Sequence, residues 1–192
     1  MQRLIDYNNL ALEYDCKYKN DMCKRENLAV IDLLNKYISE GKKILDLGCG
    51  TGFCRECIKS KVDYHGYDTS EKMLLIARNK LPFVNLYLGT INDVVDTDFD
   101  VVTSLFSLPY IDNGNLSRIF NLLKSRGIFI AVYYNKPYLN PDSVYYKRKI
   151  HYKLFVQPKV KKSIRQLKEM GFVLQEDFLT DDRTYKYIII ES

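Results

Sequence analysis

Short apolar runs alternate along the chain with segments that have helical spacing. The runs cover residues 44–47, 62–67, 84–88, 100–105 and 127–134. The run at 100–105 has little polar alternation, which is typical of a strand covered on both faces by helices. Strands that alternate with helices in this way predict a parallel α/β sheet.

The segments between these runs repeat apolar residues every three to four positions. Leu28, Ile31 and Leu34 have this spacing in an amphipathic helix predicted over residues 24–39, which Gly41 terminates. Further helices are predicted at 53–59, 70–80, 115–123 and 160–170.

The last part of the chain departs from this alternation. Residues 172–179 and 185–190 read as two strands without a helix between them, so they predict an antiparallel hairpin. The expected fold is therefore a single α/β domain over residues 1–192, with a mostly parallel seven-stranded sheet, an antiparallel edge strand and helices on both faces. Residues 1–40 form its N-terminal helical cap in this interpretation.

Composition limits the classes of protein that this chain can belong to. With 192 residues, 46% of them hydrophobic and 28% charged, it has the profile of a globular domain, and no apolar run reaches the length of a membrane span. The first residues lack the apolar region of an export signal, so we expect a cytoplasmic protein without a membrane partner. Its five cysteines fit reduced thiols best, although Cys54 and Cys57 have metal or redox spacing.

Three glycines in five positions follow the first predicted strand. Gly48, Gly50 and Gly52 allow positive φ, and their lack of a Cβ lets a ligand lie against the main chain. The helix that begins at Phe53 presents unpaired backbone N–H groups to such a ligand. A ligand-free glycine turn is the simpler alternative, but it requires fewer glycines.

A carboxylate follows the second strand at the distance expected for a nucleoside site. Asp68 lies about 20 residues beyond the glycines, where an acidic side chain accepts the two hydroxyls of a ribose. A dinucleotide fingerprint would require glycine at the position of Phe53, so a pyrophosphate fits poorly. The pattern indicates a nucleoside ligand of another kind.

Two linked motifs resemble a known family. Residues 46–52, Asp-Leu-Gly-Cys-Gly-Thr-Gly, are similar to the first motif of class I methyltransferases that depend on S-adenosylmethionine (SAM), and residues 68–74, Asp-Thr-Ser-Glu-Lys-Met-Leu, are similar to the motif after their second strand. Residues 7–15 also resemble the Y-x-x-L-A-x-x-Y-D segment that precedes the core in many small-molecule methyltransferases. The resemblance covers residues 7–134 and implies a Rossmann-like fold with SAM as cofactor.

The resemblance also implies the residues of a SAM site. In the family the N-terminal segment folds over the cofactor, so Tyr7 and Tyr14 are candidates to shield its methionine end. In the adenine loop Thr90 stands where the family often has aspartate, which leaves Asn92 and Asp93 as alternatives for the polar contact. The cofactor-binding candidates are Asp46, Gly48, Cys49, Gly50, Gly52, Asp68, Thr69, Met73, Ile91, Asn92, Ser104 and Tyr14.

Methyl transfer from a sulfonium requires little acid–base chemistry, because placing the acceptor and excluding water provide most of the acceleration. The candidate catalytic residues are accordingly few: His151, in a segment at 135–158 that is expected to cover the acceptor site, and Tyr110. Residues 104–111 resemble the S-x-F-x-L-x-Y-I pattern of small-molecule enzymes more than the [DNS]-P-P-[YFW] of nucleic-acid enzymes, because Leu108 replaces the first proline.

Charge leaves the identity of the acceptor open. Residues 136–168 contain many lysines and arginines interleaved with aromatic rings, and Asp142 is the only acidic residue among them. Such a segment suits an anionic small molecule, or RNA or DNA. We therefore predict a SAM-dependent methyltransferase of a small-molecule acceptor, with a nucleic-acid methyltransferase and a SAM-binding protein without transferase activity as alternatives.

Overall fold

The structure is a computed structural model that describes residues 7–17, 21–111, 115–134, 162, 165–170, 173–178 and 185–191. Its strands are β1 (Lys43–Leu47), β2 (Asp63–Asp68), β3 (Asn85–Leu88), β4 (Phe99–Leu105), β5 (Leu123–Tyr134), β6 (Val173–Phe178) and β7 (Tyr185–Glu191). Its helices are α1 (Tyr7–Lys17), α2 (Asp21–Tyr37), α3 (Phe53–Cys57), α4 (Glu71–Lys80) and α5 (Leu116–Leu122). Two short 3₁₀ turns follow strands: the first is Ile91–Asp93 and the second is Leu108–Tyr110.

The strands form one seven-stranded sheet in the order β3-β2-β1-β4-β5-β7-β6. The first five pair in parallel, and β7 pairs antiparallel with both β5 and β6. This confirms the predicted mostly parallel sheet with an antiparallel hairpin at one side. Within the hairpin the reversed strand, β7, lies one place in from the edge, and β6 forms the edge itself.

Helices cover both faces of the sheet, as the apolar runs predicted. On one face α5 packs through Leu116, Ile119 and Leu122, which join one apolar cluster. On the other face a second cluster contains apolar residues of α2, α3 and α4. Because β1 lies between these layers, its successive side chains enter opposite clusters: Ile44 belongs to the second and Leu45 to the first.

The predicted elements agree with the structure to within a few residues. Ser70 is the N-cap of α4, since its side chain accepts a 3.3 Å hydrogen bond from the backbone N–H of Met73. The largest difference is β5, which begins at Leu123 rather than at residue 127. In that stretch Arg126 has a φ of +64°, a conformation that sequence periodicity does not reveal.

Several predictions fall outside the described residues. They are the segment at 135–158, most of the basic segment at 136–168, the first part of the helix predicted at 160–170, and His151. Within the part of the chain that the structure describes, no helix has the length and apolar character needed to cross a bilayer.

Candidate functional site

The strand order changes direction between β1 and β4, because β2 and β3 lie on one side of this point and β5 lies on the other. In open α/β sheets ligands bind beyond the carboxyl ends of the strands at such a point. Four loops meet there: those after β1, β2, β3 and β4. The motifs that the sequence analysis identified lie in these loops, so the topology brings them to one edge of the sheet.

The glycine turn after β1 has the backbone that the sequence predicted. Gly48, Gly50 and Gly52 have φ values of +76°, +55° and +91°. A Cβ at Gly48 would lie 2.4 Å from the Cβ of Ser107, and one at Gly52 would lie 2.5 Å from a methyl group of Leu81. A Cβ at Gly50 would instead have nothing within 4 Å. Gly48 is therefore required for packing, whereas the atom nearest to a Cβ at Gly52 is the flexible end of a leucine side chain, and Gly50 has open space beside the main chain.

Asp68 ties this turn to the start of α4. One carboxylate oxygen accepts a 2.8 Å hydrogen bond from the backbone N–H of Gly50, and the other accepts a 2.8 Å bond from that of Ser70. Burial raises the pKa of Asp68 above its ordinary value, while the backbone N–H bonds oppose the increase. Since each carboxylate oxygen accepts more than one hydrogen bond, the side chain retains capacity for the hydroxyls of a ligand.

Asp46 lies beneath the turn rather than at its surface. Its side chain is 1% exposed and accepts hydrogen bonds from the Tyr64 hydroxyl at 2.5 Å and from the Thr103 hydroxyl at 2.7 Å. Burial raises the pKa of Asp46 to about 6, although both of these bonds lower it. The Asp46 carboxylate therefore links β1, β2 and β4 beneath the glycine turn. In this position it supports the site.

The thiols near the turn are also buried. Cys49 packs against Gly66, where an added Cβ would lie 2.9 Å from the Cys49 sulfur. Burial raises the pKa of Cys49, Cys54 and Cys57, so these thiols remain protonated at neutral pH. In the described ranges no group of three or more His, Cys, Asp or Glu side chains could hold a metal ion.

The end of β4 is held against the end of β1 by serine hydroxyls. The Ser107 hydroxyl donates a short hydrogen bond to the carbonyl of Leu47. It also lies 2.7 Å from the hydroxyl of Ser104, which is completely buried. The chain turns here through Phe106, whose φ of +61° is unusual for a residue with a side chain. Such backbone strain is common at functional sites.

The loop after β3 is a capped turn. The Asp93 carboxylate accepts hydrogen bonds from the backbone N–H and the hydroxyl of Thr90, at 2.7 and 2.9 Å. These bonds lower the pKa of Asp93 and give it a structural role in the described loop. Ile91 is 4% exposed and belongs to the core, whereas the neighbouring Asn92 is exposed. Both polar alternatives are exposed, and they differ in that the Asp93 carboxylate caps this turn through Thr90.

Arg118 on α5 holds the same loop from below. Its guanidinium donates hydrogen bonds to the carbonyls of Ile91 at 2.9 Å and Val94 at 2.6 Å. The sequence analysis did not identify this residue, because the contact joins positions 27 and 24 residues apart and has no local signature.

Helix α1 lies across the site and bonds to both motifs. The side-chain oxygen of Asn8 accepts hydrogen bonds from the Ser70 hydroxyl at 2.8 Å and from the backbone N–H of Lys72 at 3.1 Å. Further along α1, the Asp15 carboxylate accepts a 2.6 Å bond from the Thr51 hydroxyl in the glycine turn. The helix thereby bridges the loop after β1 and the start of α4.

A lysine strengthens the second of these attachments. Lys80 at the end of α4 forms ion pairs with Asp15 at 3.1 Å and with Glu56 at 2.7 Å. Burial alone would lower the pKa of Lys80, but its bonds to the two carboxylates outweigh that effect and raise it. The ammonium group therefore stays charged and holds α1 against α3 and α4.

Three aromatic rings meet on the β4 side of the site, and we call them the tyrosine triad: Tyr7, Tyr14 and Tyr110. The ring centroids of Tyr7 and Tyr110 are 5.9 Å apart with an interplanar angle of 88°. Those of Tyr7 and Tyr14 are 6.5 Å apart at 61°. Two candidates from separate parts of the sequence, Tyr14 and Tyr110, thus lie in one cluster.

Comparison with known proteins agrees with this architecture. The family model for a methyltransferase domain matches residues 44–127, the part that contains the glycine turn, Asp68 and the loops after β3 and β4. Residues 44–127 are thus similar to a methyltransferase domain, and the chain has the fold of class I SAM-dependent methyltransferases.

Curated relatives of this chain have diverse names. A carboxy-S-adenosyl-L-methionine synthase from Campylobacter fetus is 35% identical over 112 residues, which are 51% of this chain and 47% of that protein. A dTDP-3-amino-3,4,6-trideoxy-alpha-D-glucopyranose N,N-dimethyltransferase from Streptomyces venezuelae is 35% identical over 80 residues, 41% of this chain and 34% of its own. The chain matches about half or less of the length of these relatives.

Solved structures share the methyltransferase fold. An S-adenosylmethionine-dependent methyltransferase from Mesorhizobium loti superposes with a TM-score of 0.64 at 20% identity and covers 85% of this chain and 98% of its own. Phosphoethanolamine N-methyltransferase 2 of Haemonchus contortus, in complex with SAM, gives a TM-score of 0.72 at 14% identity, covering 99% of this chain and 60% of its own. At these identities the similarity establishes the fold.

Apart from Tyr14 and Tyr110, which lie in the tyrosine triad, the structure separates the sequence-based candidates into three groups. Gly48, Gly50, Gly52, Asp68 and the exposed Thr69 lie together at the carboxyl ends of β1 and β2, and Asn92 lies on the loop after the adjacent β3. The side chains of Asp46, Cys49, Met73, Ile91 and Ser104 are buried around the site, so their contribution to cofactor binding remains a prediction. His151 lies outside the described residues. The structure adds contacts that the sequence analysis did not predict for Asn8, Asp15, Thr51, Ser107 and Arg118, of which only Arg118 lies outside the quoted motifs.

Proposed function

We propose that this chain binds SAM across the carboxyl ends of β3, β2, β1 and β4 and transfers its methyl group to a small-molecule acceptor. The observation that carries the proposal is the pairing of Gly50 with Asp68. The Asp68 carboxylate accepts a bond from the Gly50 N–H, directly beside the open space that a Cβ at Gly50 would enter. A ribose in that space would place its hydroxyls within reach of the carboxylate.

The residues around the site support binding and orientation rather than proton transfer. When bound, SAM supplies an activated methyl group on a sulfonium. The glycine turn and Asp68 would hold the nucleoside, Asn92 would contact its base, and α1 would cover the site and exclude water. Alignment of acceptor and donor in this way provides a large share of the acceleration without a general base.

Names of matching proteins that specify small molecules support a small-molecule acceptor, although another curated relative is named a ribosomal protein L11 methyltransferase. The names of two matching proteins specify an amino sugar nucleotide and phosphoethanolamine as molecules that are methylated. The stretch from Ser104 to Ile111 supports the same class, because it lacks the paired prolines of enzymes that methylate amino groups in nucleic acids.

The proposal is tested first by calorimetric titration with SAM, S-adenosylhomocysteine (SAH) and NAD. We expect micromolar binding of both sulfur nucleosides and none of NAD. Asp68→Ala should weaken SAM binding by about 2 to 4 kcal/mol, because two hydrogen bonds to a charged group are lost. Asp63→Ala, at the opposite end of β2, is the matched control and should bind like the wild type. Equal affinity in Asp68→Ala would remove the ribose role.

Turnover is then tested with a panel of small amine, hydroxyl and phosphorylated acceptors, with release of SAH as the readout. Mass spectrometry of the nucleoside products then distinguishes methyl transfer from synthesis of carboxy-S-adenosyl-L-methionine. This measurement is included because two matching relatives are carboxy-S-adenosyl-L-methionine synthases. Formation of SAH together with a methylated acceptor supports methyl transfer. A nucleoside heavier than SAM would assign the chain to the chemistry of those relatives instead.

A further inference from the structure

Exposed apolar side chains gather at one edge of the sheet. β3 is the outermost strand there, and among the described residues no strand pairs with its outer side. Large apolar side chains are exposed on β3, on α4 and in the adjoining loops: Leu75, Phe83, Tyr87, Leu88 and Val95. A concentration of such residues beside an edge strand is typical of a surface that binds another chain.

The backbone of β3 suits pairing with a further strand. The N–H of Gly89, just after β3, donates a 2.9 Å hydrogen bond to the carbonyl of Asp68 on β2. Backbone groups of successive residues in a strand point to opposite sides, so Leu86 and Leu88 direct theirs away from β2. In agreement with this, the Leu86 carbonyl accepts a 3.1 Å bond from the guanidinium of Arg78 on α4. A carbonyl can accept a second bond, so the outer side of β3 can still form a ladder.

Helix α4 presents an exposed face at the same edge. Because Arg78 reaches the Leu86 carbonyl, the side of α4 that carries it lies over the edge, and helical spacing puts Glu71 and Leu75 on that side. All three side chains are exposed. Leu75 is about 4.5 Å along the helix from Arg78, and Tyr87 is about 3.3 Å along the oppositely directed strand from Leu86. Leu75 is therefore approximately level with Tyr87. We call β3 together with this face of α4 the β3 edge surface.

We infer that the β3 edge surface pairs two copies of this chain about a twofold axis at Tyr87. Antiparallel pairing about that axis places Leu86 of one copy opposite Leu88 of the other, so that the two residues exchange backbone hydrogen bonds. Leu88, which is 56% exposed, would then be covered by the second copy. The two sheets would join into one continuous sheet.

The charges on α4 are self-complementary in this arrangement. Since Leu75 is level with the axis, the two α4 helices meet with Leu75 against Leu75, and Glu71 of each copy lies beside Arg78 of the other. β3 itself contains no charged residue. The opposite edge strand, β6, contains Glu176 and Asp177, and such charges oppose pairing of an edge with its own copy. Charge therefore favours β3 over β6 as the edge that self-associates.

Sedimentation velocity of the full chain over a wide range of concentration tests this association. We expect the wild type to form a reversible dimer. Leu75→Glu places a charge at the centre of the contact and should raise the dissociation constant of the dimer more than about tenfold. Leu28→Glu on α2 is the matched control, because Leu28 is 59% and Leu75 58% exposed, and it should associate like the wild type.

Charge reversal tests the predicted pairing of the two α4 helices. Glu71→Arg and Arg78→Glu each bring like charges together, so each should weaken the dimer by about threefold to tenfold. The double variant restores opposite charges and should recover most of the association. A role of either residue within one copy would not produce this recovery. Thermal unfolding confirms that each variant is folded.

A cysteine at the twofold axis tests the register. Residues directly opposite each other in an antiparallel pair have Cα atoms about 4.5 to 5.5 Å apart, which a disulfide can span. Tyr87→Cys, in a chain with Cys16 and Cys23 replaced by serine, should therefore form a covalent dimer on oxidation. Phe120→Cys in the same background replaces a similarly exposed aromatic residue on α5 and should remain unlinked.

Two results would overturn the inference. The first is a wild type that remains monomeric at every concentration. The second is a dimer that persists in Leu75→Glu while Tyr87→Cys stays unlinked, because such a dimer would use a different surface.

Discussion

The Thr51 hydroxyl in the glycine turn donates a 2.6 Å hydrogen bond to the carboxylate of Asp15 on α1. These residues are 36 positions apart, and their bond joins the helix that covers the site to the loop that would hold the ligand. Lys80 pairs with the other oxygen of Asp15, so one carboxylate connects α1 with two elements of the domain. This attachment holds α1 against the glycine turn, so we expect it to contribute to ligand binding.

Removal of the Thr51 hydroxyl should therefore weaken SAM binding. Thr51→Val keeps the shape of the side chain but loses the donor, and we expect a cost of about 1 kcal/mol, or roughly fivefold in the dissociation constant, for a partly solvated charge-assisted bond. Thr97→Val is the control, because Thr97 bonds to Asp98 on an exposed loop away from the site. Calorimetry with SAM measures both. Similar losses in the two variants would contradict a specific role for α1.

Gly50 and Gly41 form a matched pair for the ligand space in the glycine turn. Both have positive φ, and a Cβ at either position would meet nothing within 4 Å. Alanine at either residue should lower the free energy of unfolding by a similar amount, about 1 to 2 kcal/mol, because of backbone strain. Only Gly50→Ala should also lose SAM affinity, by roughly tenfold, because its methyl group would enter the ligand space.

Urea unfolding and calorimetry of the two alanine variants separate these effects. Equal SAM affinity of Gly50→Ala and Gly41→Ala would show that the space beside Gly50 is not used by the ligand.

Arg118 should affect ligand binding without touching the ligand. Arg118→Met removes the hydrogen bonds to the carbonyls of Ile91 and Val94 and loosens the loop that presents Asn92. We expect SAM affinity to fall by about threefold to tenfold, the effect of one or two hydrogen bonds. Arg165→Met, at an exposed ion pair with Glu169, is the control. An unchanged dissociation constant in Arg118→Met would show that the loop keeps its conformation without the arginine.

The buried Asp46 carboxylate should make stability depend on pH. Its pKa is raised by burial to about 6 from an ordinary value of 3.8, so the folded state binds this proton more tightly than the unfolded state does. The stability linked to the proton is fully present below pH 3.8 and is lost as the pH rises through about 6. At pH 7.5 the charged form therefore costs the folded protein about 3 kcal/mol relative to the protonated form.

Asp46→Asn isolates this contribution, because asparagine does not titrate and its amide still bonds with the Tyr64 and Thr103 hydroxyls. Urea unfolding of both proteins is measured from pH 4.5 to pH 7.5. We expect the free energy of unfolding of the variant to improve relative to that of the wild type as the pH rises. Contributions from groups that do not interact with Asp46 cancel in the difference. A difference that does not change with pH would mean that Asp46 has an ordinary pKa.

Much of the fold follows from local patterns in the sequence. The apolar runs predicted the strands because a strand between two helical layers must be apolar on both faces. The three glycines predicted their own positive φ values because only a residue without a Cβ adopts them at little cost. The position of Asp68 beside the glycine turn could be predicted because it follows directly from the length of one strand–helix–strand unit.

The sequence by itself thus determined the order of elements, the glycine turn and the carboxylate beside it. Tertiary structure decided which side chains line the proposed site and which lie beneath it. Asp46 is buried because Tyr64 and Thr103 approach it from neighbouring strands, and Ser104 is buried against Ser107. The contacts of Asn8, Asp15 and Arg118 join residues from distant parts of the chain. Such bonds form only after the sheet and helices have packed, so no local pattern of residues encodes them.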